Sequence, residues 1–285
     1  MPPTENWLSS SPHEPLRSLE LVRVAVAVVL VTHPLHALLH PEDAAQLASA
    51  LAGRGVPWAA GVAFLGLGTL LLAALGLLLR RTAAWGASAA ALVVAGGSAS
   101  LYAPRWFVLG GHAEEGQPGV EFSVLLVCTL VAVAWTWRGR AKAAAEQAAG
   151  VGLQIVAIAS ALLLLPHAAS AFVLLDFEGM RSWGEGMSQA GFPHGVPRVW
   201  SLKSLELLCC VARLSRRLVV PACLGHLLIL VPGMVISQHL AWFNLGPGEG
   251  GIEFPVVLSA CALATLLAYW PRRSAVTAAL PAAAP

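Results

Sequence analysis

A stretch from the middle of the chain recurs near its end. Residues 106–126 read WFVLGGHAEEGQPGVEFSVLL and residues 242–258 read WFNLGPGEGGIEFPVVL. Trp106, Phe107, Leu109 and Gly110 return as Trp242, Phe243, Leu245 and Gly246. Gly119, Glu121 and Phe122 return as Gly251, Glu253 and Phe254. Self-similarity of this kind constrains a fold more than any local pattern, because each copy must build the same unit. In both copies a Gly-x-Glu-Phe opens an apolar run, so the 285 residues read as one unit written twice.

Composition places that unit in a bilayer. Hydrophobic residues make up 57% of the chain and charged residues 11%, against about 25% charged in a soluble domain. Apolar runs near the roughly 20 residues that cross a membrane as helix fall at 19–40, 57–79, 82–101, 119–137, 151–175, 198–215, 218–237 and 252–270. The sixth is short and carries Lys203 and Glu206. The expected fold is an all-α integral membrane protein, its eight transmembrane helices arranged as two parallel four-helix repeats. The expected divisions are an N-terminal lead (1–18), a first four-helix domain (19–137), a basic Ala-rich linker (138–150), a second four-helix domain (151–271) and a low-complexity, disordered tail (272–285).

Basic residues orient the spans. Arg17, Arg23, Arg80, Arg81, Arg138, Arg140, Lys142, Arg213, Arg216, Arg217, Arg272 and Arg273 gather on one side; only Arg54, Arg105, Arg181, Arg198 and Lys203 stand on the other. The asymmetry predicts a multi-pass protein of a bacterial-type inner membrane with both termini cytoplasmic. The acidic residues Glu42, Asp43, Glu114, Glu115, Asp176, Glu178, Glu185 and Glu249 then fall in outer loops. Trp58, Trp106, Trp200 and Trp242 mark outer span ends, and Trp85, Trp135, Trp137 and Trp270 inner ones, as in an interfacial aromatic belt. Four spans per copy, an even number, insert both copies the same way up, as in parallel repeats about an axis along the membrane normal. No Lys/Arg cluster with interleaved aromatics occurs, which argues against nucleic acid as a partner. The lipid bilayer is the first expected partner.

Each copy resembles the DoxX family of small four-helix membrane proteins. The resemblance spans about 19–137 and 151–271. It rests on Arg23 ahead of an apolar run ending in His33, on Gly-Val-Pro before the second span (55–57 and 195–197), on Leu-Glu-Leu-Leu (205–208), on Arg pairs (80–81 and 216–217), and on Gly-Val-Glu-Phe and Gly-Ile-Glu-Phe opening the fourth span. Copy one lacks the second-span Glu, having Thr69 or Leu70 near that place. Copy two lacks the first-span Arg, having Ala157, and Pro34 stands where the family usually has Gly. The resemblance implies a membrane subunit associated with redox or sulfur metabolism, with quinone as the electron acceptor of some members and accessory roles for others.

Several residues are candidates for chemistry. Glu121 and Glu253 start apolar helices, where a carboxylate gains roughly 0.3–1 kcal/mol from the helix dipole. Facing the bundle interior instead, they would relay protons or bind a polar head group. They are candidates for catalysis, with Glu206 and Arg23, and for binding quinone, with His33, His36 and His167. His33 and His40 lie seven apart on nearly one face, with His36 about 60° away; imidazole clusters bind metals, so His33, His36 and His40 are metal candidates. Pro34 predicts a kink. Lys203 and Glu206, three apart, are expected to pair. Arg23 is expected to snorkel to the inner surface. Gly66-Leu67-Gly68-Thr69 reads as a close helix contact. Cys128, Cys209, Cys210, Cys223 and Cys261 all sit in apolar runs without metal or CxxC spacing and read as packing residues; only the vicinal pair Cys209-Cys210 suggests a redox test.

No nucleotide-binding, haem or zincin motif occurs, and no motif assigns a reaction. The leading expectation is a redox-associated membrane subunit that binds quinone and meets a soluble or peripheral redox partner. The alternatives are a non-catalytic anchor, using outer loops 102–118, 176–195 and 238–250 to hold a soluble enzyme, and a small-solute or ion transporter.

Overall fold

A computed structural model describes residues 12–101, 121–138, 142–173, 177–189, 191–215, 217–236 and 252–271. Every regular element among them is an α-helix: α1 Pro15–Leu39, α2 Pro41–Gly53, α3 Ala59–Leu78, α4 Ala83–Leu101, α5 Glu121–Trp137, α6 Lys142–Val173, α7 Phe177–Gln189, α8 Gly195–Arg213, α9 Val219–Ile236 and α10 Glu253–Tyr269. Each expected apolar run is one of these helices, displaced by a few residues. Two differences are larger. Helix α6 begins at Lys142, inside the expected linker, because KAAAEQAA is built of strong helix formers. Helix α1 begins at Pro15, where proline's fixed φ suits a helix start, and the backbone N–H of His13 just before it donates to the Ala268 carbonyl of α10 at 2.7 Å.

Among the described residues four stretches are long and apolar enough to cross a membrane: Pro15–Leu39, Ala59–Leu78, Ala83–Leu101 and Ala143–Pro166. Glu121–Trp137, Val219–Val235 and Glu253–Tyr269 are shorter apolar helices. Helix α8 is excluded from the first group by its own charges, Arg198, Lys203, Glu206 and Arg213. Large side chains such as Leu65, Leu72, Leu92, Leu208 and Leu228 are two-thirds exposed or more. Facing water they would form an adhesive surface; facing lipid they are at home.

The two short helices α2 and α7 were expected to be loops. Pro41 opens α2, Glu42 and Asp43 occupy its first turn, and acids there meet the positive end of the helix dipole. Helix α7 buries Met180 against Val199 of α8.

In the first half α1 packs on α3, α3 on α4 and α4 on α5, with α2 lying on α3. In the second, α6 packs on α8, α8 on α9 and α9 on α10, with α7 lying on α8. The halves join where α5 meets α6, α10 meets α1, and α1 meets α6. Exchanging α1–α5 for α6–α10 maps each of these pairs onto another of them, except α1 with α6, which maps onto itself.

Small residues set the closest approaches. A Cβ on Gly152 of α6 would stand 2.7 Å from Thr136 Oγ1 and 3.0 Å from Leu19 Cδ1, so three helices crowd one point. A Cβ on Gly86 would lie 2.6 Å from the Ala73 carbonyl of α3. The expected close contact at Gly66 and Gly68 does not form: Gly66 has only Val93 Cγ1 at 3.8 Å and Gly68 has nothing within 4 Å. The α3–α4 contact is made one helix end away, through Gly76 and Gly86. Helix α1 runs unbroken through Pro34 and α6 through Pro166.

Candidate functional site

The repeated Glu-Phe motifs come together. Helices α5 and α10 both begin with the glutamate, and the next residues, Phe122 and Phe254, meet edge to face with centroids 5.8 Å apart. This packing is the preferred aromatic arrangement. It carries Glu121 and Glu253 to the wall of one cleft of about 1250 Å³, which also reaches α1, α2, α3 and α4. The volume exceeds the 300–1,000 Å³ of a usual small-molecule pocket. Leu30, Leu47, Leu51, Leu65, Leu70, Leu92 and Leu126 make most of its lining apolar, with His33, His36, Asp43, Arg54, Glu121 and Glu253 as ionisable groups.

His33 crosses from α1 to α10: its Nε2 stands 3.2 Å from Glu253 Oε1. The carboxylate is buried and the imidazole is 40% exposed, so the pair presents one dry and one accessible side.

His33 and His36 of α1 and His40, which caps it, do not form one cluster. His36 Nε2 lies 3.0 Å from Asp43 Oδ2, and His40 Nδ1 lies 3.2 Å from Glu42 Oε1. The His36 and His40 rings are 4.3 Å apart. Hydrogen bonds from its own backbone N–H and then from His40 hold the exposed Glu42 carboxyl below its ordinary range. Among the described residues no three His, Cys, Asp or Glu side chains are grouped so that they could hold a metal ion. His167 lies on α6 one residue after Pro166, and its side chain falls outside the described residues. The stretches 102–118 and 238–250, expected as outer loops, also lie outside them.

Glu206 and Arg23 belong elsewhere. Glu206 Oε2 accepts from Lys203 Nζ at 2.7 Å, both side chains buried, as their spacing predicts. Arg23 does not snorkel. It is buried, donates through Nε to Glu20 at 2.6 Å and through Nη1 to the Leu77 carbonyl of α3, and faces the Trp137 ring at 5.6 Å. Glu20 also takes Arg80 Nε at 2.6 Å. A carboxylate one turn away on the same helix gave the guanidinium an interior partner, so it had no need of the surface.

One group escaped the sequence reading. Arg213 was counted among inner-surface cations, yet it is buried. Its Nη2 donates to Ser160 Oγ of α6 at 2.6 Å, and its Nη1 lies 3.4 Å from His226 Nδ1 of α9. His226 Nε2 in turn lies 3.6 Å from Cys210 Sγ. Arg213 donates to Nδ1, which places the imidazole proton on Nε2. The arginine that bridges first and third helices of a half thus comes from α1 in one half and from α8 in the other. The signal was present in the spacing: Lys203, Glu206, Cys210 and Arg213 recur at three and four residues and share one helix face.

Comparison with protein-family models, curated proteins and solved structures finds no match for the chain.

Proposed function

We propose that the chain is an eight-span membrane protein of two DoxX-like repeats that binds a lipid-soluble, carbonyl-headed molecule of the quinone class in the cleft between α1, α3, α4 and α10. The observation that carries the reading is the His33–Glu253 contact at 3.2 Å on the wall of a largely apolar cleft. The repeat reading is supported by the exchange symmetry of the helix pairs and by the meeting of Phe122 with Phe254. Cytoplasmic termini in a bacterial-type inner membrane follow from the distribution of Lys and Arg.

In this reading the leucine-lined part of the cleft takes an isoprenoid tail and the His33–Glu253 pair takes the head group. His33, on the accessible side, and the buried Glu253 beside its Nε2 together offer a proton to a carbonyl oxygen of the head group. Reduction of a quinone consumes two electrons and two protons. The pair delivers or accepts protons, with Glu121 on the same wall as a second carboxylate. The electrons come from a soluble or peripheral redox partner. Glu206 and Arg23 are structural in this scheme, since each is already committed to a neighbour.

The test is a binding titration of a short-chain quinone to the full chain in lipid nanodiscs, with quinone extraction and optical spectra of the same sample. Replacing a hydrogen-bonding partner of about 1.5–3 kcal/mol in His33→Gln or Glu253→Gln should weaken binding about 10- to 150-fold while yield and monodispersity hold. A wild-type protein that neither carries nor binds quinone sinks the reading. Co-purification of a soluble enzyme would then favour an anchor, and solute flux in proteoliposomes a transporter.

A further inference from the structure

We propose that the cleft is entered sideways from the bilayer, through a window between α3 and α4, by molecules dissolved in the lipid. The ligand's identity rests on the quinone reading of the cleft; the route does not.

Helices α3 and α4 close tightly only beside the turn that joins them. There a Cβ on Gly76 would stand 3.5 Å from Gly86 Cα, and one on Gly86 2.6 Å from the Ala73 carbonyl. The buried residues of α4, Ala83, Gly86, Ala87 and Ala90, all lie in its first half. Halfway along, the contact has thinned to Gly66 against Val93 Cγ1 at 3.8 Å. Beyond it a Cβ on Gly61 of α3, or on Gly96 or Gly97 of α4, would meet nothing within 4 Å. At the far end Arg54 Nη2 donates to the Leu101 carbonyl at 3.0 Å, tying the chain just before α3 to the end of α4. The gap is therefore a window with two closed ends. From Val93 to Leu101 the helix rises about 12 Å, more than the width of an acyl chain or a six-membered ring.

The cleft reaches through this gap. Leu65, Gly66 and Leu67 of α3 line it, and so do Leu92, Val93 and Val94 of α4. Three consecutive helix residues fan over about 200°, whereas a helix packed against a closed wall presents a stripe of about 100°. The cleft thus wraps past the inner faces of both helices to their flanks. Leu65 and Leu92 line it while 72% and 75% exposed. Both helices are long and apolar enough to cross a membrane, so lipid tails flank the window. An amphiphile with an apolar tail can enter there without drawing the tail through water. The His33–Glu253 pair stands on another wall of the same cleft, between α1 and α10, where a head group arriving from the window can meet it.

The experiment places the full chain in nanodiscs that contain a phospholipid with a diazirine on one acyl chain, and maps the photolabelled residues by mass spectrometry. In wild type the label should fall on Leu72, which is 71% exposed to the surroundings, and on Glu121 and Phe122 inside the cleft. Gly96→Phe/Gly97→Phe fills the window where the backbone has room and should abolish the label at Glu121 and Phe122 while keeping that at Leu72. Gly68→Phe adds the same bulk at a position with nothing within 4 Å and outside the cleft lining, and should leave all three labels in place. Absence of label at Glu121 and Phe122 in wild type overturns the proposal, and so does label that persists there in the double variant. Stopped-flow binding of a short-chain quinone to the double variant should show association and dissociation slowed alike by at least about fivefold, with Kd within about twofold, because a blocked passage raises a barrier that entry and exit share. A lost contact would act mainly on dissociation. Unchanged rates also overturn the proposal. A wild type that binds no quinone defeats the reading of the cleft, and the lipid label then decides the route by itself.

Discussion

Glu206→Gln should destabilise the second half strongly, and Lys203→Met/Glu206→Met should restore it. Lys203 Nζ and Glu206 Oε2 are 2.7 Å apart with side chains 9% and 8% exposed, on a helix inside the bundle. Removing one partner of such a buried pair leaves an uncompensated charge and costs about 3–5 kcal/mol, or about two to three and a half powers of ten in the folded-to-unfolded ratio. Removing both charges together takes away the desolvation cost with the attraction, so the double variant should lie within about 1 kcal/mol of wild type or be more stable. Reversible unfolding of wild type, Lys203→Met, Glu206→Met and the double variant in mixed detergent micelles, read by far-ultraviolet circular dichroism, gives the four corners of a double-mutant cycle. A coupling energy below about 0.5 kcal/mol, with Glu206→Gln as stable as wild type, would refute the argument that the pair is buried and mutually dependent. A double variant that is stable yet loses quinone binding would move Glu206 from structure to function.

Other outcomes follow from single contacts. Gly152→Val drives a branched side chain into Thr136 and Leu19 where α6 meets α5 and α1, and should lower the melting midpoint by the equivalent of about 1–3 kcal/mol; an unchanged midpoint would mean the halves are not packed there. Phe122→Ala and Phe254→Ala should show a coupling of about 0.5–1.5 kcal/mol in a cycle, and purely additive losses would show that the two motifs do not meet. Arg213→Lys loses the fork that reaches Ser160 and His226 together and should destabilise by about 1–3 kcal/mol, which thermal unfolding of the pair of proteins checks. All five cysteines are free thiols. Alkylation mass spectrometry after denaturation under non-reducing conditions should therefore count five labels, and a Cys209–Cys210 disulfide would appear as a loss of two.

Periodicity and length were enough to place the helices. The eight apolar runs became helices, all but the start of the fifth within a few residues, because a helix satisfies the backbone hydrogen bonds of an apolar segment within the segment itself. The Lys203–Glu206 pair was legible for the same reason, since residues three apart on a helix face one another whatever surrounds them. Helices α2 and α7 were missed because they are short and polar beside the long apolar runs, although their apolar residues do recur at a helical period. The Gly66-Gly68 contact failed because small size permits close approach without choosing which neighbour arrives.

What the sequence by itself determined is local: where the chain is helical, which runs suit lipid, and which polar residues stand out within them. Tertiary structure alone decided the partners. His33 pairs with Glu253 across more than two hundred residues of chain, Arg213 turns inward to Ser160 and His226, and Arg23 reaches a carbonyl on α3 instead of the surface. Sequence spacing fixes directions around one helix axis. It carries no information on which other axis lies opposite, and in a bundle that choice is made by close packing summed over all helices at once.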